Sequence, residues 1–94
     1  MRGLSAPHHL LLYEYVEDIV ERRASYRDAH LAHVRAWKDD GRLVMAGALG
    51  DPPTGAALMF QLNDPAEIDE FVQSDPYITA GLVTAQRVRR WNLV

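Results

Sequence analysis

Residues 43–62 read Leu43-Val44-Met45-Ala46-Gly47-Ala48-Leu49, then Gly50-Asp51-Pro52-Pro53-Thr54-Gly55, then Ala56-Ala57-Leu58-Met59-Phe60-Gln61-Leu62. Two apolar runs flanking a segment of Gly, Pro, Asp and Thr predict a β-hairpin, because the runs suit strands and the middle suits a reversal. Neither run alternates apolar with polar. In the first, Leu43, Met45 and Leu49 share one parity against Val44, Ala46 and Ala48. In the second, Ala56, Leu58, Phe60 and Leu62 oppose Ala57 and Met59. A strand that is apolar on both parities is expected to be covered on both faces.

On the N-terminal side of the hairpin, residues 27–40 (RDAHLAHVRAWKDD) predict a helix. A 100° wheel places His30, Leu31, Val34 and Trp37 together, and Gly41 stands where the helix should stop. Before it, residues 8–16 (HHLLLYEYV) read as a strand, with Leu10, Leu12 and Val16 on one parity and Leu11, Tyr13 and Tyr15 on the other. Residues 19–25 read as a connection with a partial helical turn.

On the C-terminal side, Asp64 is placed as the N-cap of a second helix, with Pro65 at its first position and Glu67 at its third, close to a capping box. Ile68, Phe71 and Val72 carry this helix to about Ser74. Asp75-Pro76-Tyr77 opens a short turn ending at Gly81, and residues 82–93 form a last strand with a basic middle. The order is βαββαβ. Two split crossovers around a central hairpin give a ferredoxin-like α+β fold: a four-stranded antiparallel sheet with two helices on one face. Residues 1–7 are expected to be a flexible leader and residues 8–94 a single domain.

Two helices cover one sheet face only. The other would leave several hundred Å² of apolar surface bare, more than a monomer ordinarily exposes. A two-fold homodimer stacked through the sheet faces is therefore expected.

Composition narrows the function. The 94 residues bury about 64% of their unfolded surface by size scaling, enough for one thin core. Thirteen acids against ten bases give a net charge of −3, and the bases are scattered except at Arg22-Arg23 and Arg87 to Arg90, which argues against nucleic acid as partner. The absence of Cys removes disulfides, thiolate nucleophiles and Cys-ligated metals. The longest strongly apolar run, residues 10–13, is too short to cross a membrane, and a cytoplasmic domain is the expectation.

Two residues carry candidate chemistry. His30 lies inside the apolar stripe of the first helix; it is either a core histidine bonded to a carbonyl or a partly buried imidazole suited to proton transfer. Asp75 precedes Pro76, where it either caps the following turn or orients such an imidazole. His30 and His33 form an H-x-x-H pair, but a third metal ligand has no obvious source and His33 reads as a surface residue. Arg87, Arg89 and Arg90 could bind an anion, though a solvated strand edge is the commoner role of such a cluster. Gly47, in mid-strand, marks a bulge or a close approach. Ser5, Ser25 and Ser74 sit in no nucleophile-elbow context.

Arg22-Arg23 followed by Tyr26-Arg27-Asp28-Ala29-His30-Leu31-Ala32-His33 resembles the helix opening of YciI-like proteins, the YCII-related domain family. Gly41-Arg42-Leu43 with Ala46-Gly47-Ala48, then Asp75-Pro76-Tyr77 with Ala80-Gly81-Leu82, then Arg90-Trp91, follow in the family's order. The resemblance implies a dimeric α+β barrel and a cleft between the first helix and the sheet. It implies a catalytic His–Asp dyad, at His30 and Asp75 here, and an anion contact at Arg23. With it, the expected activity is cofactor-independent acid–base chemistry, an isomerisation or an elimination of HX, on a small oxygenated or aromatic substrate. Gly47 and Tyr77 join Arg23 as expected substrate contacts. A dimeric ligand-binding or accessory module without turnover is the alternative. A haem-binding or oxygenase relative, with His30 or His33 as ligand, is a weaker third.

Overall fold

In a computed structural model, which describes residues 6–94, the chain runs β1 (His8–Tyr15), α1 (Ile19–Arg22), a 3-10 turn (Arg23–Ser25), α2 (Arg27–Asp39), β2 (Leu43–Leu49), β3 (Gly55–Gln61), α3 (Ala66–Ser74), α4 (Pro76–Thr79) and β4 (Val83–Trp91). The strands form one sheet in the order β2-β3-β1-β4, every neighbouring pair antiparallel. This is the α+β, ferredoxin-like arrangement that the hairpin and its two crossovers predict. Most of the expected leader, residues 1–5, lies outside the described residues. Pro7 is tied to the sheet, its carbonyl accepting from the Leu62 amide at 3.0 Å.

The core lies between the helices and one sheet face. Leu11, Tyr13, Leu43, Ala56, Leu58 and Phe60 meet Trp37, Ile68, Phe71 and Val72. Trp37, Phe60 and Phe71 pack mutually edge to face with centroids 5.2–5.9 Å apart, the arrangement that aromatic quadrupoles favour. Gly41 at φ +88° ends α2, and Gly81 at φ +75° ends the α4 turn, both in the left-handed region that favours glycine.

Three local expectations differ from the structure. Leu43 does not share a face with Met45. The β2–β3 register shifts between them, so Leu43 pairs with Phe60 in the core while Met45 pairs with Met59 on the opposite face. One extra residue in a strand reverses the parity of all that follow. On α2, Leu31 is 37% exposed, whereas His33 is half-buried. The wheel explains the exchange: Leu31 lies 100° from His30, while His33 lies only 60° away, on the side of Trp37. The second long helix starts one residue later than expected, with Pro65 in place of Asp64 at the N-cap, and the capping box does not close. Asp64 Oδ1 accepts from the Ala66 amide at 3.0 Å, but Glu67 accepts from Arg42 at 3.1 Å instead of reaching back.

The remaining face carries Leu10, Leu12, Met45, Leu49, Ala57, Met59 and Trp91. Met45, Leu49 and Trp91 are 57%, 46% and 39% exposed, so none of the described residues covers that face. Arg87, Arg89 and Glu14 lie on it too.

Candidate active site

Asp75 stands at the junction of α3 and α4, fully buried, with an extended backbone that makes it the N-cap of α4. Its Oδ1 accepts from the Tyr77 amide at 3.0 Å, the capping bond expected of an Asp-Pro pair. The same oxygen accepts from His30 Nδ1 at 2.7 Å, and Oδ2 accepts from the Tyr13 hydroxyl at 2.7 Å. Capping and orienting the imidazole are thus combined in one side chain.

His30 comes from the first turn of α2, with its side chain 11% exposed. Its ring lies parallel to that of Tyr77, centroids 3.8 Å apart and planes 5° from coplanar. Because a carboxylate only accepts, Nδ1 carries the proton of the neutral ring and Nε2 is left basic. Among the described residues Nε2 has no hydrogen-bond partner, and the side chain keeps its 11% exposure. The arrangement can take a proton at Nε2 and hold the resulting imidazolium against Asp75.

Two tyrosines complete the surroundings. Burial, then the charge of Asp75, pushes the Tyr13 phenol far above its ordinary range, so it stays a donor. Burial, then Tyr77 and Asp75, pushes Tyr15 up to about 12, with Arg23 and Arg27 pulling the other way. Tyr15 packs edge-on to Tyr77 at 6.0 Å. Tyr77 Oη is buried without a partner among the described residues.

The structure therefore brings together His30, Asp75 and Tyr77, while Arg23 makes no hydrogen bond or ion pair to them among the described residues and acts on Tyr15 through its charge. Gly47 is elsewhere: it pairs with Ala57 on the open sheet face, and none of the described residues comes within 4 Å of the position its Cβ would take. His33 turns away from His30, its Nε2 bonded to the Phe71 carbonyl at 2.8 Å, so the H-x-x-H pair does not converge on one point. Among the described residues no cluster of three or more His, Cys, Asp or Glu could hold a metal. No described helix is long and apolar enough to cross a membrane. Sequence reasoning passed over Tyr13 as a site residue. Its signal was parity: Tyr13 shares the inward face of β1 with Leu11, and a buried phenol needs an acceptor.

A ferredoxin-like α+β domain with a buried histidine–aspartate pair under its helices defines the class. The chain belongs to the YCII-related domain family, whose match spans residues 8–92. It is 32% identical to Protein YciI of Escherichia coli O6:H1 over 74 residues, 69% of this chain and 76% of that protein, and equally to Protein YciI of Shigella flexneri. Among solved structures it is similar to 5-chloro-2-hydroxyhydroquinone dehydrochlorinase (TftG) from Burkholderia phenoliruptrix, in complex with 2,5-dihydroxybenzoquinone. The TM-score is 0.76 at 26% identity, covering 90% of this chain and 93% of that one.

Proposed function

We propose that the protein is a small-molecule enzyme performing cofactor-independent acid–base chemistry with the His30–Asp75 dyad, on a small oxygenated or aromatic substrate. The observation that carries this is the 2.7 Å bond from His30 Nδ1 to a fully buried Asp75, which leaves Nε2 without a partner among the described residues. Nε2 removes a proton from the substrate, and the electron pair released forms a double bond as a leaving group departs, or returns at another carbon in an isomerisation. The imidazolium gives its proton to the leaving group, to that carbon or to water. Asp75 remains a carboxylate and stabilises the imidazolium. The dehydrochlorinase activity named for the structural relative is an elimination of this kind.

Tyr77, stacked on His30, and Arg23, beside Tyr15, are the proposed substrate contacts, Arg23 taking anionic charge. Gly47 lies on the other side of the sheet, so its proposed part is in a contact with a second copy of the chain. The open face favours that occupant. Its apolar centre is flanked by Glu14 at one end and Arg87 and Arg89 along β4, a pattern that a two-fold axis can make self-complementary.

The test is a screen of chlorinated hydroxyquinols and related enolisable aromatics for chloride release or isomerisation, repeated with His30→Asn. Loss of about 10²–10⁴-fold in kcat/KM, with the dimer and fold retained, is expected. Full activity in His30→Asn, or saturable binding with no product from any compound, would sink the proposal.

A further inference from the structure

We propose that Tyr13 is a positioning residue for the dyad: its hydroxyl, acting through Asp75 Oδ2, sets how tightly His30 holds a proton. The inference deepens the acid–base reading and rests on it for its catalytic consequence. The geometry is a relay of three side chains, with Tyr13 Oη donating to Oδ2 and His30 Nδ1 donating to Oδ1, both at 2.7 Å. Asp75 is 0% exposed and Tyr13 2%, so water has no ready route to replace either partner. In such surroundings a hydrogen bond to a charge is strong and its loss is felt in full.

The direction of the effect follows from charge. With His30 neutral, the dyad carries one net negative charge on Asp75. With His30 protonated, that charge is balanced by the imidazolium. A donor on Oδ2 stabilises the first state more than the second, so Tyr13 lowers the proton affinity of His30 and keeps Nε2 free for substrate. Other groups also act on the surroundings of the dyad: Tyr77 from α4, Tyr15 from β1, and the charges of Arg23 and Arg27, felt at Tyr15, from the segment before α2 and its start. On the next turn of α2, His33 is engaged by the Phe71 carbonyl. A Tyr13→Phe substitution leaves all of these in place, so a comparison with the parent isolates the single hydroxyl.

The experiment is an NMR titration of the His30 ring in the intact chain, which needs no substrate. Tyr13→Phe is expected to raise the midpoint by roughly half a pH unit or more. The same substitution in an Asp75→Asn background is expected to leave it in place, since the charge through which Tyr13 acts is gone. An unmoved midpoint in the first case, or an equal rise in both backgrounds, overturns the proposal. Should Tyr13→Phe fail to fold, the parent chain decides: a slowly exchanging Tyr13 hydroxyl proton is expected, and its absence overturns the relay. The two readings fail separately. A raised midpoint with turnover indifferent to His30→Asn supports the Tyr13 relay and removes the acid–base enzyme. Turnover lost in His30→Asn with an unmoved midpoint in Tyr13→Phe removes the relay alone.

Discussion

A single carboxylate shows how few groups define the site. Asp75 caps a helix with one oxygen, holds an imidazole with the same oxygen, and takes a phenol with the other. His30 and Asp75 were legible in the sequence because each sits at a marked place, one in an apolar stripe and one before a proline. Their contact was implied by the family resemblance alone, since 45 residues separate them and periodicity speaks only of near neighbours. Tyr13 stands 62 residues from Asp75 and was hidden for the same reason. A second buried imidazole gives a pH prediction. His9 is 6% exposed and its Nδ1 has no partner among the described residues, and burial, then Arg90 and His8, lower its pKa below 6.5. The unfolded chain therefore binds a proton here before the folded one does. This contribution to stability is complete above about pH 6.5 and is lost as pH falls from there through the folded-state value. Urea midpoints measured from pH 7.5 downwards should fall, and His9→Gln should flatten that acid limb; an unchanged slope would exclude His9 as its source.

Among the elements, α2 is anchored to the core by Trp37. Trp37 meets Phe60 and Phe71 edge-on, and Arg42 lays its guanidinium 3.7 Å from the centre of the indole while bonding Asp40 and Glu67. Trp37→Ala should cost about 3–5 kcal/mol in equilibrium denaturation, a large part of what so small a domain has. A loss below about 1 kcal/mol would show that the indole is not the keystone of this packing. Strand and helix positions were readable from composition, caps and glycine stops, and agree with the structure to within a residue or two. The parity of β2 was not readable. Nothing in Leu43-Val44-Met45 announces the register shift between Leu43 and Met45, because a bulge is decided by the partner strand and the surrounding core.

For the whole molecule, the sheet has one face under helices and one apolar face that the described residues leave open, with hollows of about 320 and 370 Å³ against it. The lack of alternation in the strands made this legible, since β1, β2 and β3 carry more apolar side chains than one helical layer can cover. If a second copy closes the face, Met45→Glu should convert the dimer to monomers in sedimentation while the ring signals of His30 stay as they were. A parent chain that sediments as a monomer at micromolar concentration would end the dimer proposal.

Along β1, residues 9, 11 and 13 face the core and the dyad, while residues 10, 12 and 14 face outward. The two duties are interleaved at single-residue spacing, so point substitutions can retune either one and leave the other alone. A one-residue insertion or deletion has no such freedom: it would send Leu12 or Glu14 towards Asp75 and turn Tyr13 outward, exchanging the two faces at a stroke. Over evolutionary time this strand is therefore free to drift in composition and held fast in length.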